Sequence, residues 1–329
     1  MPCYSPLKGW RDRETGGIKF KRDNAIEEME VACGSCIGCR LDRSRMWAVR
    51  ICHEASLHEY HGGNCFITLT YRDPIECTPD QLKDGYHVPF DWSLNKKHYQ
   101  DFMKRLRKAF YPQKIRFFHC GEYGNRCQHG INLDEVKCPA LCRLGRPHYH
   151  ACLFNCSFDD LESYASRDGV LRYTSPKLEA IWKYGFVDVG ELNFESAAYV
   201  ARYILKKVDG EKAFEHYLSF LDDGTGVFLQ PEYVTMSRRP GIGRYWFEAN
   251  RYDVFPHDSV PVAGSGVIQK VPRYYDELFA DSNPRNMEEI KALRQKFREE
   301  HGHEYTPDRL MAKYRVKKRK IEMLRRTVR

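Results

Sequence analysis

The nine-residue segment Arg146–Phe154, in which side-chain character alternates around two histidines, most constrains the fold of this chain. It reads Arg-Pro-His-Tyr-His-Ala-Cys-Leu-Phe, and this period of two predicts a half-buried β-strand. In a strand, His148 and His150 lie on one face and Tyr149 lies on the other. Two imidazoles side by side indicate a metal site. The alternative is a strand that presents two histidines on its surface without a ligand, which is energetically unfavourable.

A carboxylate ends the strand predicted just before the histidine strand. Residues 115–122 read Ile-Arg-Phe-Phe-His-Cys-Gly-Glu, which predicts a strand ending near Glu122. If the two strands pair as a hairpin, Glu122 lies beside His148 and His150. One carboxylate and two neutral imidazoles leave open positions on Mg²⁺ or Mn²⁺, where phosphate oxygens can bind. A plain surface carboxylate is the alternative for Glu122.

Two tyrosines one helical turn apart, Tyr199 and Tyr203, lie in a segment that reads as a helix, 195–207. Residues four apart share a helix face, so both hydroxyls and the Lys206 amine are expected to point the same way. The opposite face is an apolar stripe that would dock on a core: Ala197, Val200, Ala201, Ile204 and Val208. Tyrosines that merely pack along a helix are the alternative. Two phenols beside a bound metal suggest a nuclease that forms phosphotyrosine.

Thirteen cysteines are a high number for such a chain, and no secretory signal precedes them. We therefore expect reduced thiols and metal ligands rather than disulfides. The spacing of Cys33, Cys36 and Cys39 predicts a zinc knuckle, with Cys3 as the candidate fourth ligand. An iron–sulfur cluster or simple buried thiols are the alternatives.

A second set of metal-ligand side chains lies in an insert, 125–145, between Glu122 and the histidine strand. It comprises Cys127, His129, Cys138 and Cys142. This set could hold a second zinc, although its spacing is less regular than that of the first set.

Positive charge is concentrated near the C-terminal end. The formal net charge is +8, and residues 311–329 hold nine Lys or Arg against one acid, Glu322, so the preceding residues sum to zero. A basic helix of this kind is typical of polyanion binding, and nucleic acid is the leading partner. A solvated charged tail is the alternative. No run approaches the 18 apolar residues of a membrane span, so no membrane partner is expected.

Local patterns predict an α+β fold, because strands and helices follow one another without a strict βαβ rhythm. Expected helices cover residues 40–60, 95–110, 176–184, 284–300 and 307–326. Expected strands, besides the hairpin, cover residues 65–71, 185–190 and 233–236. Residues 245–283 show no clear period. We divide the chain into a Cys-rich module with a basic helix (1–60), a central domain (63–243) and a C-terminal extension that ends in a basic helix (244–329).

Three motifs, in this order, resemble those of HUH endonucleases: Phe66–Tyr71, Arg146–Ala151 and Tyr199–Lys206. More narrowly, the chain resembles the rolling-circle replication initiators of microviruses of the gokushovirus kind, over about residues 1–250. Further matches are Met1–Tyr4, Cys33–Arg40, Gly121–Gly124 and Ser237–Gly243. The insert is longer and richer in cysteine than this resemblance leads one to expect.

The resemblance implies an HUH-type central antiparallel sheet with flanking helices and a two-tyrosine enzyme. Such an enzyme nicks single-stranded DNA at the replication origin by tyrosine attack, forms a 5′-phosphotyrosine intermediate, and later joins the strand into a circle. Tyr199, Tyr203 and Lys206 would be catalytic, and Glu122, His148 and His150 would hold Mg²⁺ or Mn²⁺. Arg238 and Arg239 are plausible clamps for the DNA backbone. A host helicase would be a partner, and the cytoplasm of the bacterial host would be the place of action.

Two other functions fit part of the pattern. A non-catalytic single-stranded DNA-binding protein with zinc knuckles would explain the basic tail and the aromatic residues. A water-using metal-dependent phosphodiesterase would explain the His pair and leave the tyrosines structural. Covalent attachment of an oligonucleotide to the protein distinguishes the enzyme from both alternatives.

Overall fold

The alternating segment around the two histidines lies near the middle of a large antiparallel sheet in a computed structural model of the chain. The structure describes residues 3–165, 171–202, 208, 210–221, 223–262 and 266–327. Within these ranges the chain combines antiparallel sheets with several helices, so the predicted α+β class is confirmed.

Strands and helices are numbered in chain order. The described strands are β1 (Leu7–Asp12), β2 (Ile18–Lys19), β3 (Ala25–Val31), β4 (Asn64–Tyr71), β5 (Arg116–Tyr123), β6 (Pro147–Phe154), β7 (Glu162–Ala165), β8 (Leu171–Thr174), β9 (Gly185–Gly190), β10 (Leu218–Phe220), β11 (Gly226–Phe228), β12 (Tyr233–Met236), β13 (Ser259–Pro261) and β14 (Ile268–Lys270). The described helices are α1 (Ile37–Ser56), α2 (Pro79–Lys83), α3 (Lys96–Ala109), α4 (Pro176–Trp182), α5 (Phe194–Arg202), α6 (Glu211–Tyr217), α7 (Arg244–Val254), α8 (Arg273–Ser282), α9 (Pro284–Glu300) and α10 (Pro307–Thr327).

The large sheet has seven strands in the order β12-β5-β6-β4-β9-β8-β7. Strands β5 and β6 pair as the predicted hairpin, with Glu122 opposite His148. Strand β4 pairs with the other side of β6 and places Thr68 opposite His150. Because directly opposed residues share a face of an antiparallel sheet, these four side chains project from one side.

The opposite face of the sheet carries most of the apolar core. Tyr71 of β4 and Tyr149 of β6 are fully buried there, and their rings pack against Trp182 of α4. Helix α3 covers the same face through Phe102, which packs on Trp182. Burying rings of this size supplies much of the apolar stabilisation of the sheet, at about 25 cal/mol for each Å² of apolar surface removed from water.

Helix α3 begins where the sequence predicts. The Asn95 side chain accepts a hydrogen bond from the Lys97 amide, which caps the helix. The Tyr149 hydroxyl donates to the Asn95 carbonyl at 2.8 Å, so the sheet strand with the two histidines also fixes the start of the covering helix.

The described chain forms two compact units. The first comprises Met1–Met46 and Arg273–Arg329, and the second comprises Trp47–Pro272. In the first unit, strands β2-β1-β3 form a small sheet, and Arg298 of α9 forms an ion pair with Glu30 of β3. The second unit contains the seven-stranded sheet. The division of the chain into domains at residues 60–63 and 243–244 stays a prediction.

Residues 245–283, which show no clear period in the sequence, contain regular elements in the structure. Helix α7, the β13–β14 hairpin and helix α8 lie there. Phe247 and Val254 are buried on α7, and Tyr275 and Phe279 are buried on α8. Each helix buries only two side chains, so few apolar positions recur at helical spacing. Exposed aromatic residues between them obscure the pattern in the sequence.

Candidate active site

Three metal-ligand side chains converge on the sheet face away from the main core. Oε1 of Glu122 lies 2.6 Å from Nε2 of His148 and 2.8 Å from Nε2 of His150. The three ligand atoms all lie within 4.8 Å of one another. Glu122 and His150 are buried, and His148 is partly exposed, so the cluster opens toward solvent on one side.

Hydrogen bonds on the far side of each ring determine which nitrogen faces the carboxylate. The Arg146 carbonyl lies 3.1 Å from Nδ1 of His148, and a carbonyl can only accept. Neutral His148 therefore carries its proton on Nδ1 and directs the Nε2 lone pair toward Glu122. The Thr68 hydroxyl lies 2.9 Å from Nδ1 of His150 and can accept the same proton there.

This arrangement fits a bound cation. Two imidazole lone pairs and a carboxylate oxygen directed at one another repel unless positive charge lies among them. Burial raises the pKa of the Glu122 carboxyl; without a cation, each Nε2 can instead carry a proton and donate to Glu122, and these hydrogen bonds outweigh burial and hold that pKa well below its usual range. The carboxylate is thus ionised at neutral pH. A set of two imidazoles and one carboxylate suits a divalent ion with open positions.

Two residues outside the triad hold His148 in place. The carbonyl of Arg146 also accepts from the Gly124 amide at 2.9 Å, and the Arg146 guanidinium bonds to the Tyr71 carbonyl and to Asp73. A Cβ on Gly124 would lie 3.2 Å from Cε1 of His148, which is tighter than an ordinary contact. Gly124, directly after β5, and Arg146, directly before β6, therefore fix the position of the His148 ring together.

Neither Thr68 nor Arg146 was predicted from the sequence as a supporting residue. A signal for Thr68 was present, because residues 66, 68 and 70 alternate with Ile67 and Leu69 and so share the face opposite the core. The position of Arg146 depends on a hydrogen bond to Asp73, 73 residues earlier in the chain. A contact between residues so far apart in sequence cannot be predicted from a local pattern.

Tyr199 of α5 packs against one member of this cluster, His150. Its ring meets the ring of His150 edge to face at 5.2 Å between centroids, and the ring of Phe66 in the same way at 6.2 Å. The opposite stripe of the helix, Ala197, Val200 and Ala201, is buried as predicted. Arg202, one turn further on, lies 5.8 Å from the Tyr199 ring centroid. The Tyr199 side chain stays about one third exposed (37%), which leaves a substrate room to approach.

The other predicted site residues of this region differ in what the structure shows. Tyr203 and Lys206 lie outside the described residues. Arg238 and Arg239 are exposed in the loop after β12. That loop is fixed at its far end, because Glu54 accepts from the Gly243 amide at 2.7 Å and Arg116 donates to the Pro240 carbonyl at 2.9 Å.

The first cysteine set forms a compact cluster in the N-terminal part of the chain. Cys3 Sγ lies 3.7 Å from Cys33 Sγ, which lies 3.9 Å from Cys39 Sγ, and Cys36 Sγ is 3.9 Å from Cys3 Sγ. Thiolates about 2.3 Å from a tetrahedral zinc lie about 3.8 Å apart, so these spacings fit zinc. Burial raises the pKa of the Cys33 thiol, but backbone amides of Cys36 and Ser35 outweigh burial and lower it to about 6.

The second set also comes together, inside the insert between β5 and β6. Nδ1 of His129 lies 3.5 Å from Cys138 Sγ and 3.4 Å from Cys142 Sγ, and Cys127 completes the group. A nitrogen and a sulfur on one tetrahedral zinc lie about 3.6 Å apart. The spacing fits the same ion, so the structure brings both predicted sets into metal-binding geometry.

Among the described helices, none is both long and apolar enough to cross a membrane.

The sequence of this chain is similar to those of one family of known proteins. The family model of replication-associated protein ORF2/G2P matches residues 64–131 and 135–208, which include β4, the hairpin ligands and Tyr199. No solved structure matches the chain.

Three curated relatives are viral replication-associated proteins. Replication-associated protein ORF2 of Spiroplasma virus 4 is 32% identical over 84% of this chain and 79% of its own length. Replication-associated protein VP4 of Bdellovibrio phage phiMH2K is 28% identical over 89% of this chain and 81% of its own length. Replication-associated protein ORF4 of Chlamydia phage 1 is 34% identical over 53% of this chain and 38% of its own length. The chain therefore belongs to the family of microvirus replication-associated proteins, the replication initiators of these phages.

Proposed function

We propose that this chain is an HUH-type endonuclease that nicks and joins single-stranded DNA at the origin of rolling-circle replication. One observation carries the proposal: the Tyr199 ring packs on His150, beside the cluster of Glu122, His148 and His150. A nucleophile and a cation site lie together on a partly exposed face, as transfer of a phosphodiester to tyrosine requires.

In the cleavage step the Tyr199 oxygen attacks phosphorus, and the bond from phosphorus to the 3′ oxygen breaks. The phenol proton goes to solvent, and the departing 3′ oxygen takes up a proton. The products are a 5′-phosphotyrosine and a free 3′-hydroxyl, so the energy of the phosphodiester is kept for joining. Bound Mg²⁺ or Mn²⁺ would polarise the scissile phosphate and stabilise charge on the leaving oxygen.

This chain's own residues orient the reaction. Thr68 and the Arg146 carbonyl hold the two imidazoles with Nε2 toward Glu122, and Phe66 supports the Tyr199 ring. Joining reverses the chemistry: a 3′-hydroxyl attacks the phosphotyrosine, and the phenol leaves.

Tyr203 has a specific use in a complete cycle. While one tyrosine holds the 5′ end, the other attacks the regenerated origin, and the released 3′ end then closes the first strand into a circle. Lys206 would neutralise phosphate charge or lower the pKa of a phenol. These two roles follow from the sequence motif and from the chemistry of a two-tyrosine cycle.

Partners and further cofactors complete the proposal. The exposed side chains of Arg238 and Arg239 would clamp the backbone of the origin strand, and a host helicase would unwind the template in the host cytoplasm. The two cysteine-containing clusters would each hold a structural zinc.

The test is covalent capture of a labelled single-stranded origin oligonucleotide in Mn²⁺ or Mg²⁺. We expect an adduct that survives denaturing electrophoresis and disappears in the double variant Tyr199→Phe/Tyr203→Phe. Phe keeps the ring and removes only the hydroxyl, so the loss cannot come from a cavity. Cleavage without an adduct would indicate a water-using phosphodiesterase, and binding without cleavage would indicate a non-catalytic binding protein.

A matched variant separates the cation site from DNA binding. His148→Ala/His150→Ala should abolish cleavage while the affinity for single-stranded DNA persists, because that affinity is mostly phosphate electrostatics. Normal cleavage by this variant would remove the metal site as assigned.

A further inference from the structure

The first compact unit contains an open groove of about 390 Å³ along helix α10. Two tyrosine rings and four basic side chains line it: Tyr4, Tyr305, Arg309, Lys313, Lys317 and Lys320. The groove therefore joins flat aromatic surface with positive charge, in a part of the chain that the nicking reaction does not use.

Tyr4 is held at this groove from two sides. Its amide donates to Cys36 Sγ at 3.4 Å, so the first cysteine cluster fixes its backbone. Its ring meets the ring of Tyr314 on α10 edge to face, with centroids 6.0 Å apart. The ring is thus placed by the protein before any ligand arrives, which lowers the entropic cost of stacking on it.

The charge along the groove is graded. Glu304 forms ion pairs with Arg309 at 2.9 Å and with Lys313 at 2.6 Å, which neutralises part of that end. Lys313 also lies 5.7 Å from the Tyr305 ring centroid. Lys317 and Lys320 follow one and two turns later on the same face and are exposed. Among the described side chains, positive charge without an ion pair therefore increases away from the tyrosines.

We propose that this groove is a second binding site for single-stranded DNA, independent of sequence and of the nicking site. Bases stack on Tyr4 and Tyr305, and phosphates contact Lys317 and Lys320. A flat ring beside lysines recognises the two features that every nucleotide of a single strand offers, a base face and a phosphate. In a duplex the base faces are already stacked on one another, so the rings favour the single strand.

The test measures binding of full-length protein to a fluorescent oligothymidine that lacks an origin, by anisotropy, without added Mg²⁺ or Mn²⁺. No cleavage enters this measurement, so its outcome does not depend on the nicking proposal. Lys317→Gln/Lys320→Gln should weaken binding about tenfold and reduce the slope of log affinity against log salt by about one.

Arg315→Gln/Lys318→Gln is the matched control, because it removes the same charge from exposed positions of the same helix outside the groove. It should weaken binding much less. Equal weakening by the two double variants would overturn the proposal, since only the net charge of the helix would then matter.

A second pair of variants tests whether bases stack on the ring of Tyr4. Tyr4→Ala should weaken binding about tenfold, whereas Tyr4→Phe should bind like the wild type, because stacking needs only the ring. The zinc content of both variants is measured, so that loss of the cysteine cluster is not mistaken for loss of stacking. Wild-type affinity in Tyr4→Ala with its zinc retained, or equal affinity for duplex and single strand, would overturn the site.

Discussion

The Thr68 hydroxyl lies 2.9 Å from Nδ1 of His150, on the side of the ring away from Glu122. Thr68→Val keeps the shape of the side chain and removes this partner. We expect the half-saturating Mn²⁺ concentration for adduct formation to rise about tenfold to a hundredfold, with adduct formation largely restored at saturating Mn²⁺. Thr68→Ser keeps a hydroxyl and should stay near the wild type. A Val variant with an unchanged Mn²⁺ requirement would show that the Thr68 hydroxyl does not orient His150 for metal binding.

Glu54 makes a pH-dependent contribution to stability in the second unit. Burial raises its pKa, but His58, the Gly243 amide and Arg116 outweigh burial and lower it. A lowered folded-state pKa stabilises the fold above the unfolded value of about 4.3, and the stabilisation is lost as the pH falls below that value toward the folded pKa.

Glu54→Gln should therefore lower the free energy of unfolding by about 3 kcal/mol at pH 7, because it leaves Arg116 without its buried partner. The difference from the wild type should shrink below about pH 4, because the Glu54 carboxyl of the unfolded wild type then binds a proton that the folded form does not yet bind. Urea unfolding of both proteins at pH 7 and near pH 3.5 measures this change. A difference that is constant with pH would assign the effect to packing alone.

At the scale of elements, strands with strong alternation and helices with a wide apolar face were predictable. The alternation of Arg146–Phe154 predicted both β6 and the shared face of its two histidines, and pairing with β5 placed Glu122 opposite His148. The helix at Lys96–Ala109 was predictable because four of its side chains, Tyr99, Phe102, Met103 and Leu106, are buried on one face.

Elements that bury little were not predictable from local pattern. Three of the six residues of β1 and four of the seven residues of β3 are exposed, and surface ion pairs such as Lys8 with Glu28 link the two strands. Such contacts contribute little stability and impose no apolar period. By contrast, the position of Cys3 beside Cys33, 30 residues away, was expected, because the three knuckle cysteines need a fourth ligand.

The two cysteine clusters give a prediction at this scale. Protein purified under reducing conditions should contain two zinc ions per chain, of which Cys36→Ser loses one and Cys138→Ser loses the other. Cys77 lies outside both clusters, so Cys77→Ser should keep both ions and serves as the control. Elemental analysis measures the zinc content. Native protein without stoichiometric zinc would leave these residues as ordinary thiols.

At the scale of the whole molecule, the first unit is assembled from both ends of the chain. Its N-terminal half contacts its C-terminal half through Glu30 and Arg298, and through Tyr4 and Tyr314. A chain that ends at Pro272 should therefore lose hydrogen-exchange protection in β1–β3, while the strands of the seven-stranded sheet keep theirs. Unchanged protection in β1–β3 would show that the N-terminal half is stable by itself.

Because the first unit needs both of its separate segments, the two units can fold at different times during synthesis. The ribosome releases Trp47–Pro272 as one continuous stretch, and domains generally fold as units while the chain emerges. The sheet with its histidines and Tyr199 can therefore form while translation is still in progress. The groove beside Tyr4 must wait, because its other wall, α10, is made after the whole of the second unit. A product that terminates after Pro272 would therefore contain the candidate active site and lack the groove.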